Sequence, residues 1–398
     1  MHYSRQRRGR RMAFMSGVIL LFSCLLALSG CGTSPGGSQS ATPPAPLPTS
    51  TPGPSQPVTL QNIHMLDDQN GWAVTADKHV LHTTSGAEKW REATPSTGSI
   101  QYTLGVSDFL DAQNAWVAMQ NSGKFSIFRT YNGGGLWLET PLLDTGSSVT
   151  QISFADPQNG WLLFDKEDKG QTQAIDVFHT TDGGGTWLNV SSVNSSTDDQ
   201  ANGLPFTGRK TGISFRSSST GWITGSVADS KNSLLYVTSD GGFTWKVQTI
   251  PLPSDASGTI TTFPPQFSNA NDGILPVTFS SGGSNKVDVY TTQDGGKTWS
   301  SGNPTSDISS TTALGSDNQA LAIGANGNAG NVYATSDAGR SWKQLPKPDA
   351  TVTKLVGLNF VSSKQSWVLA TTSADVVRLF QTSDNGKSWT SLNTTAST

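Results

Sequence analysis

The chain has 398 residues, of which only 14% are charged, and its formal net charge is −3. This length allows two ordinary domains or one large repeat domain. The 42 glycines, the abundant Ser and Thr and the low charge are typical of a turn-rich all-β protein and argue against a mainly helical one.

The N-terminus has the pattern of an export signal. Five arginines precede an apolar run from Ala13 to Leu28, which is shorter than a membrane-spanning helix requires. The run closes with Leu28-Ser-Gly-Cys31, which resembles a bacterial lipobox. This resemblance implies that residues 1–30 are removed and that lipid on Cys31 anchors the protein to the outer face of the cytoplasmic membrane. An ordinary signal peptide cut nearby and an uncleaved anchor are the alternatives.

Removal of the signal makes the chain more acidic. Lys+Arg falls from 26 to 21 against 29 Asp+Glu, so the net charge becomes about −8. This balance argues against binding to nucleic acid or to anionic lipid, and membrane contact is expected through the lipid anchor alone. Cys24 leaves with the signal, so the folded part is expected to have no disulfide.

Residues 31–57 form the predicted linker. After Cys31 they are almost wholly Gly, Ser, Thr, Pro, Ala and Gln, with no charge and little to bury. Such a composition predicts a disordered tether with a reach of about 30 Å. We therefore place the folded domain at residues 58–398.

A first signature recurs seven times after the linker. An apolar residue stands seven positions before a second one, which is usually tryptophan, and turn formers such as Asp156-Pro-Gln-Asn-Gly160 lie between them. This pattern predicts a strand, a tight turn and a second strand. The pairs are Met65/Trp72, Phe109/Trp116, Phe154/Trp161, Phe215/Trp222, Phe267/Ile274, Leu314/Leu321 and Phe360/Trp367.

A second signature, Thr-x-Asp-x-Gly-x-Thr/Ser-Trp, alternates with the first and defines repeats 1 to 7. Ser85 and Ala87 replace the Asp and the Gly in repeat 1. In repeats 2 to 7 the third residue is Asn132, Asp182, Asp240, Asp294, Asp337 or Asp384, and the last is Trp137, Trp187, Trp245, Trp299, Trp342 or Trp389.

The spacing of these turns predicts the fold. Successive turn tryptophans lie 47, 50, 58, 54, 43 and 47 residues apart. Four-stranded units of about 40–50 residues are typical of β-propeller blades. We therefore predict an all-β, monomeric, seven-bladed β-propeller of four-stranded antiparallel blades.

The residues of the repeated turn have structural roles in this prediction. The carboxylate accepts backbone N–H groups across the turn, and the Gly adopts a backbone conformation that a Cβ would penalise. The Trp wedges between neighbouring blades while its N–H finds an acceptor. No catalytic residue is predicted in the turn.

The motifs resemble two groups of known proteins. The turn is similar to the Asp-box of sialidases and sortilin-type receptors. Combined with the first signature, most closely over residues 149–191, it resembles the photosystem II stability and assembly factor family across residues 58–393. That resemblance implies a propeller that binds and escorts a membrane or cell-envelope protein, without enzymatic activity and without a cofactor.

Two alternatives stay open, an Asp-box glycoside hydrolase and a carbohydrate-binding surface module. A sialidase needs clustered arginines and a Tyr nucleophile. Only six arginines follow the linker, and Tyr236, Tyr290 and Tyr333 share one strand position, which indicates blade core. An endoglucanase-like pair of aspartates is not excluded. No metal site is predicted, because the calcium-loop-like stretch from Asp67 to Gly71 lacks a closing Glu.

The partner surface is predicted from loop variability. Strand 1–2 and 3–4 turns lie on one face of a propeller. The variable 2–3 loops, which include residues 166–172 and 280–286, lie on the other face with the connections between blades, of which 192–208 is the longest. Binding residues concentrate on variable loops of a rigid scaffold. We predict the surface near blades 3–5; solvated loop charges without a partner are the alternative. Its candidates are Lys166, Glu167, Asp168, Lys169, Asp198, Asp199, Lys231 and Lys286.

Overall fold

The structure, a computed structural model, describes residues 55–142, 148–196, 203–228, 233–254, 256–315, 319–362 and 364–397. The regular elements in these ranges are 30 β-strands and one short 3-10 helix, Asn326–Asn328. The predicted signal, Cys31 and the linker up to residue 54 lie outside them.

Repeats 1 to 3 form antiparallel blades whose four strands pair in chain order. The short strand β1 (Gln56–Pro57) precedes them. Repeat 1 has β2 (Leu60–Met65), β3 (Gly71–Thr75), β4 (Val80–Thr83) and β5 (Trp90–Glu92). Repeat 2 has β6 (Thr103–Phe109), β7 (Ala115–Asn121), β8 (Lys124–Thr130) and β9 (Leu138–Pro141). Repeat 3 has β10 (Ser148–Phe154), β11 (Gly160–Asp168), β12 (Gln173–Thr180) and β13 (Leu188–Val193).

Repeats 4 and 5 share one eight-stranded sheet. Repeat 4 has β14 (Arg209–Phe215), β15 (Gly221–Val227), β16 (Leu234–Thr238) and β17 (Lys246–Val247). Repeat 5 has β18 (Thr259–Thr262) and β19 (Gln266–Phe267), which both pair with β20 (Gly273–Ser281), and then β21 (Ser284–Thr292). The predicted fourth strand after its turn makes only the isolated bridges Thr291↔Ser300 and Val287↔Thr305. The two repeats are joined because β15 pairs with β18 through Val227↔Ile260. Pro264 and Pro265, which cannot donate to a ladder, separate β18 from β19.

Repeats 6 and 7 are separate four-stranded blades. Repeat 6 has β22 (Ile308–Leu314), β23 (Ala320–Gly324), β24 (Val332–Thr335) and β25 (Lys343–Gln344). Repeat 7 has β26 (Val352–Phe360), β27 (Ser366–Thr372), β28 (Val377–Thr382) and β29 (Thr390–Leu392), and β30 (Thr395–Ser397) follows. Five of the six sheets in the described ranges thus hold one repeat each, and the sixth holds two. The fold is a β-propeller of four-stranded antiparallel blades; a count of seven separate blades stays a prediction.

The first and last described strands meet on repeat 1. Strand β30 pairs in parallel with β5 through Ala396↔Trp90, and β1 pairs antiparallel with β30 through Gln56↔Ala396. Ala396 is buried in the core cluster that also contains Leu60 and Trp367, from repeats 1 and 7. The last residues of the predicted linker are therefore part of a sheet, and the described fold begins before residue 58.

Aromatic stacking joins one repeat to the next. The Trp of the second strand stacks on the Phe that ends the first strand of the following repeat. Trp161 and Phe215 are parallel, with ring centroids 3.5 Å apart, and Trp116 and Phe154 are also 3.5 Å apart at 9°. Each such pair adds about 0.5–1.5 kcal/mol beyond its buried area. The first signature of the sequence is therefore the contact between repeats.

Polar side chains on the first strands link the same neighbours. Asp108 Oδ2 accepts the N–H of Phe154, Ser153 Oγ accepts that of Phe215, and Gln266 Oε1 accepts that of Leu314. Each acceptor immediately precedes the apolar residue that ends its own strand. These bonds satisfy first-strand N–H groups that have no partner within their own blade.

Two predicted loops are instead regular hairpins. Residues 166–172 were expected to form a loop, but β11 extends to Asp168 and β12 starts at Gln173. Similarly, β20 and β21 leave only Gly282 and Gly283 between them, both at positive φ, in place of the predicted 280–286 loop. Strand pairing continues because these residues satisfy each other's backbone groups across the ladder.

Candidate partner-binding surface

Hydrogen bonds define the two faces of the propeller. The fourth residue of the repeated turn donates its N–H to the strand 1–2 turn of its own repeat, as in Gly183 to Gln158 O at 2.9 Å. We call this side the turn face. On the opposite side, which we call the loop face, the 2–3 hairpins contact the start of the first strand, as in Ser373 N to Thr351 O at 2.7 Å.

The carboxylate of the repeated turn bonds only within its own turn. Asp182 Oδ1 accepts the N–H of Thr186 at 2.9 Å and the hydroxyl of Thr180 at 2.8 Å, and Oδ2 accepts the Thr186 hydroxyl. Partial burial raises the pKa of Asp182, but the hydrogen bonds outweigh it and lower the pKa to about 2. The same bonds recur at Asp240, Asp294, Asp337 and Asp384, and Asn132 accepts the N–H of Leu136.

The turn needs a positive φ at two positions, whereas the sequence pattern indicates only one. Its fourth residue has a positive φ as well as its fifth, as at Gly183 (72°) and Gly184 (90°). In repeat 1, Ala87 adopts the same conformation, and Ser85 Oγ accepts the N–H of Lys89 in place of a carboxylate. The altered first copy therefore keeps the geometry of the turn.

The turn tryptophans differ in their contacts. Trp137 and Trp389 donate their indole N–H to Ala93 O and Pro346 O, which precede their own repeats, whereas Trp245 donates to Gly242 in its own turn. Among the described residues, the turn tryptophans Trp90, Trp187 and Trp299 have no acceptor for this N–H. The fully buried tryptophans between repeats are mainly those of the second strands.

The charged candidate residues of repeat 3 form ion pairs with residues of repeat 3 or of the neighbouring strand. Lys166 lies 3.5 Å from Asp176, Lys169 lies 3.0 Å from Glu167, and Asp168 accepts from Arg209 Nε at 2.9 Å. Arg209, which is not among the predicted candidates, starts the first strand of repeat 4 and ties it to repeat 3. This cluster therefore links repeats 3 and 4 at the loop face.

The connection from repeat 3 to repeat 4 is fixed to the scaffold. Gln173 donates its N–H to Phe206 O, and Gly208 donates its N–H to Gln171 O at 2.8 Å. The side chain of Lys210, which is only 6% exposed, donates from Nζ to the carbonyls of Pro205 and Gly208. Residues 203–208 are thereby held as one wall of the adjoining hollow. Asp198, Asp199 and Lys231 lie outside the described residues.

An apolar hollow opens on the loop face of repeat 4. Its volume is about 390 Å³, and none of the described residues that line it is charged. Val247, on the outer strand, leaves 60% of its surface exposed beside it. A second hollow of about 170 Å³ begins at the adjacent Pro253 and reaches Lys286 in repeat 5. The first hollow is lined by Pro205, Thr207, Val227, Ser233, Leu234, Tyr236, Val247, Thr249, Ile250 and Leu252.

A larger central cavity of about 860 Å³ is lined by first strands from six repeats. The described residues that line it include Arg216 and His64 but no Asp or Glu. His64 is exposed to the cavity; desolvation by the surrounding protein lowers its pKa, and a backbone bond to Phe109 opposes that effect. Nearby on the first strand of repeat 2, burial raises the pKa of Asp108 to about 6.

Two other kinds of site were sought in the described part of the chain. No group of three or more His, Cys, Asp or Glu side chains there is placed to hold a metal ion. No helix in those ranges is long and apolar enough to cross a membrane. The stretch from Asp67 to Gly71 is a turn in which Asp67 accepts N–H groups from Gln69 and Asn70.

Comparisons with known proteins agree on the fold. The family model described as "Sortilin, neurotensin receptor 3" matches residues 287–398, and the comparison with curated proteins gave no match. YCF48 from Cyanidioschyzon merolae is 17% identical, with a TM-score of 0.51 over 83% of this chain and 97% of that one. The GH74 xyloglucanase from Xanthomonas campestris is 14% identical, with a TM-score of 0.57 over 84% of this chain and 55% of that one. Oligogalacturonate lyase from Vibrio parahaemolyticus is 10% identical, with a TM-score of 0.56 over 85% and 92%. At these identities the likeness shows the β-propeller fold alone.

Proposed function

We propose that this chain is an exported lipoprotein whose seven-bladed Asp-box propeller binds a membrane or cell-envelope protein as an assembly scaffold. The partner contacts the loop face of repeats 3 to 5. The observation that carries this proposal is the apolar hollow of repeat 4, which is open to solvent and has residues 203–208 fixed as one wall. A rigid apolar recess with exposed rim residues is typical of a recognition site.

The walls of the hollow support binding without chemistry. Lys210 and the Gln173–Phe206 bond hold residues 203–208 in place, so little ordering entropy is lost when a partner docks. The described residues that line the hollow include no Asp, Glu, His, Lys or Arg. An apolar side chain of the partner fits this lining, and the charged hairpin of repeat 3 forms a polar rim.

The support for a membrane anchor and for the class of partner comes from the sequence. The lipobox-like Leu28-Ser-Gly-Cys31 supports a lipid anchor, and a tether of about 30 Å keeps the propeller near the bilayer. The motif resemblance to photosystem II stability and assembly factors supports an escort for a membrane protein. The count of seven blades follows from treating repeats 4 and 5 as two blades joined by β15 and β18.

A glycoside hydrolase is the competing class, and both carbohydrate-active neighbours named above share the propeller fold. Glycoside hydrolysis usually requires two carboxyl groups about 5–10 Å apart that face the substrate. The described lining of the central cavity and of the repeat 4 hollow supplies no such pair. No specific observation favours this class over binding.

The test uses the full-length protein in membranes of its own host, with a photo-crosslinking residue at position 247. The matched control is position 376, another exposed valine, on the hairpin of repeat 7 at the loop face. We expect one membrane-protein adduct from position 247 and none from position 376. Val247→Glu should lower recovery of that partner at least tenfold, and Val376→Glu should not.

Several outcomes would count against this function. They are equal adducts from both positions, no adduct at position 247, and partner recovery that is unchanged by Val247→Glu while both variants keep the wild-type melting temperature. Release of reducing sugar from soluble glycans, unchanged by Val247→Glu, would instead favour the hydrolase.

A further inference from the structure

The outer edge of repeat 1 carries two added strands. Among the described sheets, that of repeat 1 alone continues beyond its fourth strand, whereas β9, β13, β17, β25 and β29 each end their sheets. Strand β30 lies at this edge between β5 and β1, parallel to β5 and antiparallel to β1. We call the space between β5 and β1 the repeat 1 slot. A strand in this slot pairs its backbone with both walls.

The slot has room for a small side chain at its centre. Ala396 of β30 lies opposite Trp90 of β5 in the parallel ladder, and both side chains are buried in the core cluster of repeats 1 and 7. Because the Trp90 ring already fills this side of the sheet, a larger side chain opposite it would overpack the cluster. The flanking Thr395 and Ser397 are half-buried. The slot therefore favours an extended segment with one small residue between polar ones.

Charge has little part in holding β30. Residues 392–397 carry no charged side chain, and β1 carries none either. The charged side chains of β5 bond other parts of the chain. Arg91 donates to the carbonyls of Glu92 and Gly133, and the Glu92 carboxylate lies 3.1 Å from His79 Nδ1. Backbone pairing and the size of the central side chain therefore determine what fits the slot.

Closure of the ring does not depend on β30. Leu60 and Ile63 of repeat 1 share a core cluster with Trp367 and Leu369 of repeat 7, so side chains of the blades themselves join these two repeats. By contrast, β30 is three residues long, and Ala396 is its one buried side chain. A segment with so little buried surface opens locally at a much lower free energy than the core strands. Strand β30 is therefore separable from the ring that it covers.

We propose that the repeat 1 slot is a strand-binding site, which β30 fills in the unbound protein and an extended segment of a partner protein fills in its place. Like β30, this segment is uncharged, runs parallel to β5 and places Ala, Ser or Gly opposite Trp90. Main-chain hydrogen bonds give such strand addition its affinity, and alternate side chains give it specificity. The slot lies on repeat 1 and the hollow of the proposed function on repeat 4, so either inference can fail while the other holds.

The test is binding of a labelled peptide with the sequence of residues 392–398 to full-length Ala396→Glu, measured by fluorescence anisotropy. A charge at position 396 faces the core cluster, so it should expel β30 and empty the slot while the protein stays folded. The control Ser397→Glu places the same charge on the opposite side of the strand. We expect saturable binding by Ala396→Glu. Binding by the wild type and by Ser397→Glu should be at least tenfold weaker, because their own β30 competes at high effective concentration.

Two altered peptides test the fit to the slot. A peptide with Leu in place of Ala396 and a peptide with the residues in reverse order should each bind Ala396→Glu at least tenfold more weakly. In the wild type, the amides of β30 should exchange hydrogen at least tenfold faster than those of β27, since β30 opens while the ring stays closed. Equal exchange in both strands, unfolding of Ala396→Glu, no peptide binding by the folded variant, or equal binding of the three peptides would overturn the proposal.

Discussion

Asn359 Oδ1 accepts the backbone N–H of Met65 at 3.1 Å, across 294 residues of sequence. This bond joins the first strand of repeat 7 to that of repeat 1, so the arrangement seen at Asp108, Ser153 and Gln266 also closes the ring. We expect Asn359→Ala to lower the free energy of unfolding by about 1–3 kcal/mol, because a buried N–H loses its acceptor.

Urea unfolding of the full-length protein checks this prediction. Asn359→Ser is the control, since Ser153 Oγ accepts the equivalent N–H between repeats 3 and 4, and it should recover most of the loss. If Asn359→Ala unfolds at the wild-type urea concentration, the bond does not contribute to ring closure.

Asp108 should make stability depend on pH between about 4 and 6. Burial raises its pKa from 3.8 to about 6, against hydrogen bonds from Phe154 and Phe109. In this window the unfolded chain has lost the proton and the folded chain keeps it, so the free energy of unfolding falls as pH rises. The fall is at most about 3 kcal/mol, and solvent screening at this half-buried group reduces it.

Asp108→Asn provides the comparison for this prediction, because an amide oxygen still accepts the Phe154 N–H, as Asn359 does for Met65. The variant should be more stable than the wild type at pH 7, with the difference disappearing below about pH 4. Urea unfolding from pH 4 to 7 measures both proteins, and parallel curves would show that Asp108 does not titrate in this window.

Asp182 should make the free energy of unfolding rise with pH, in a lower pH range than the one in which Asp108 makes it fall. Its hydrogen bonds lower the pKa to about 2, so it contributes stability that is fully present above pH 3.8 and is lost as pH falls through 2. Asp182→Asn should keep the turn, because Asn132 accepts the equivalent N–H in repeat 2. Since the side chain is exposed, we expect a difference below about 1 kcal/mol at pH 7.

Acid unfolding followed by tryptophan fluorescence tests Asp182. The wild type should lose its advantage over Asp182→Asn between pH 4 and 2. An advantage that persists at pH 2 would mean that the carboxylate charge contributes nothing to the turn.

Cys31→Ser tests the predicted anchor. We expect the variant to lose the mass of the lipid and to leave the membrane fraction, because a chain of net charge near −8 has no electrostatic attraction to anionic lipid. Membrane fractionation and intact-mass measurement report the result. Ser29→Ala, beside the same cleavage site, is the control and should remain anchored. A Cys31→Ser protein that stays in the membrane at unchanged mass would contradict lipidation.

The sequence was most informative where the chemistry is local. The eight residues from Thr180 to Trp187 contain the acceptors, the donors and the glycines of their own turn, so their pattern predicts the turn before any fold is known. The hairpin around residues 166–172 was missed because its sequence has no such local pattern. Its strands depend on pairs such as Lys166 with Asp176, and a charged stretch without apolar alternation resembles a loop in sequence.

The sequence by itself determined the repeat, the four-stranded units and the chemistry of the turn, because each is encoded within about 50 residues. Only the tertiary structure decided which residues meet: Asn359 with Met65, β30 with β5, and Tyr131 with the turn of repeat 3. Periodic patterns predict which side of a strand is buried, but they do not specify which distant strand covers it. That choice depends on the geometry of the closed ring.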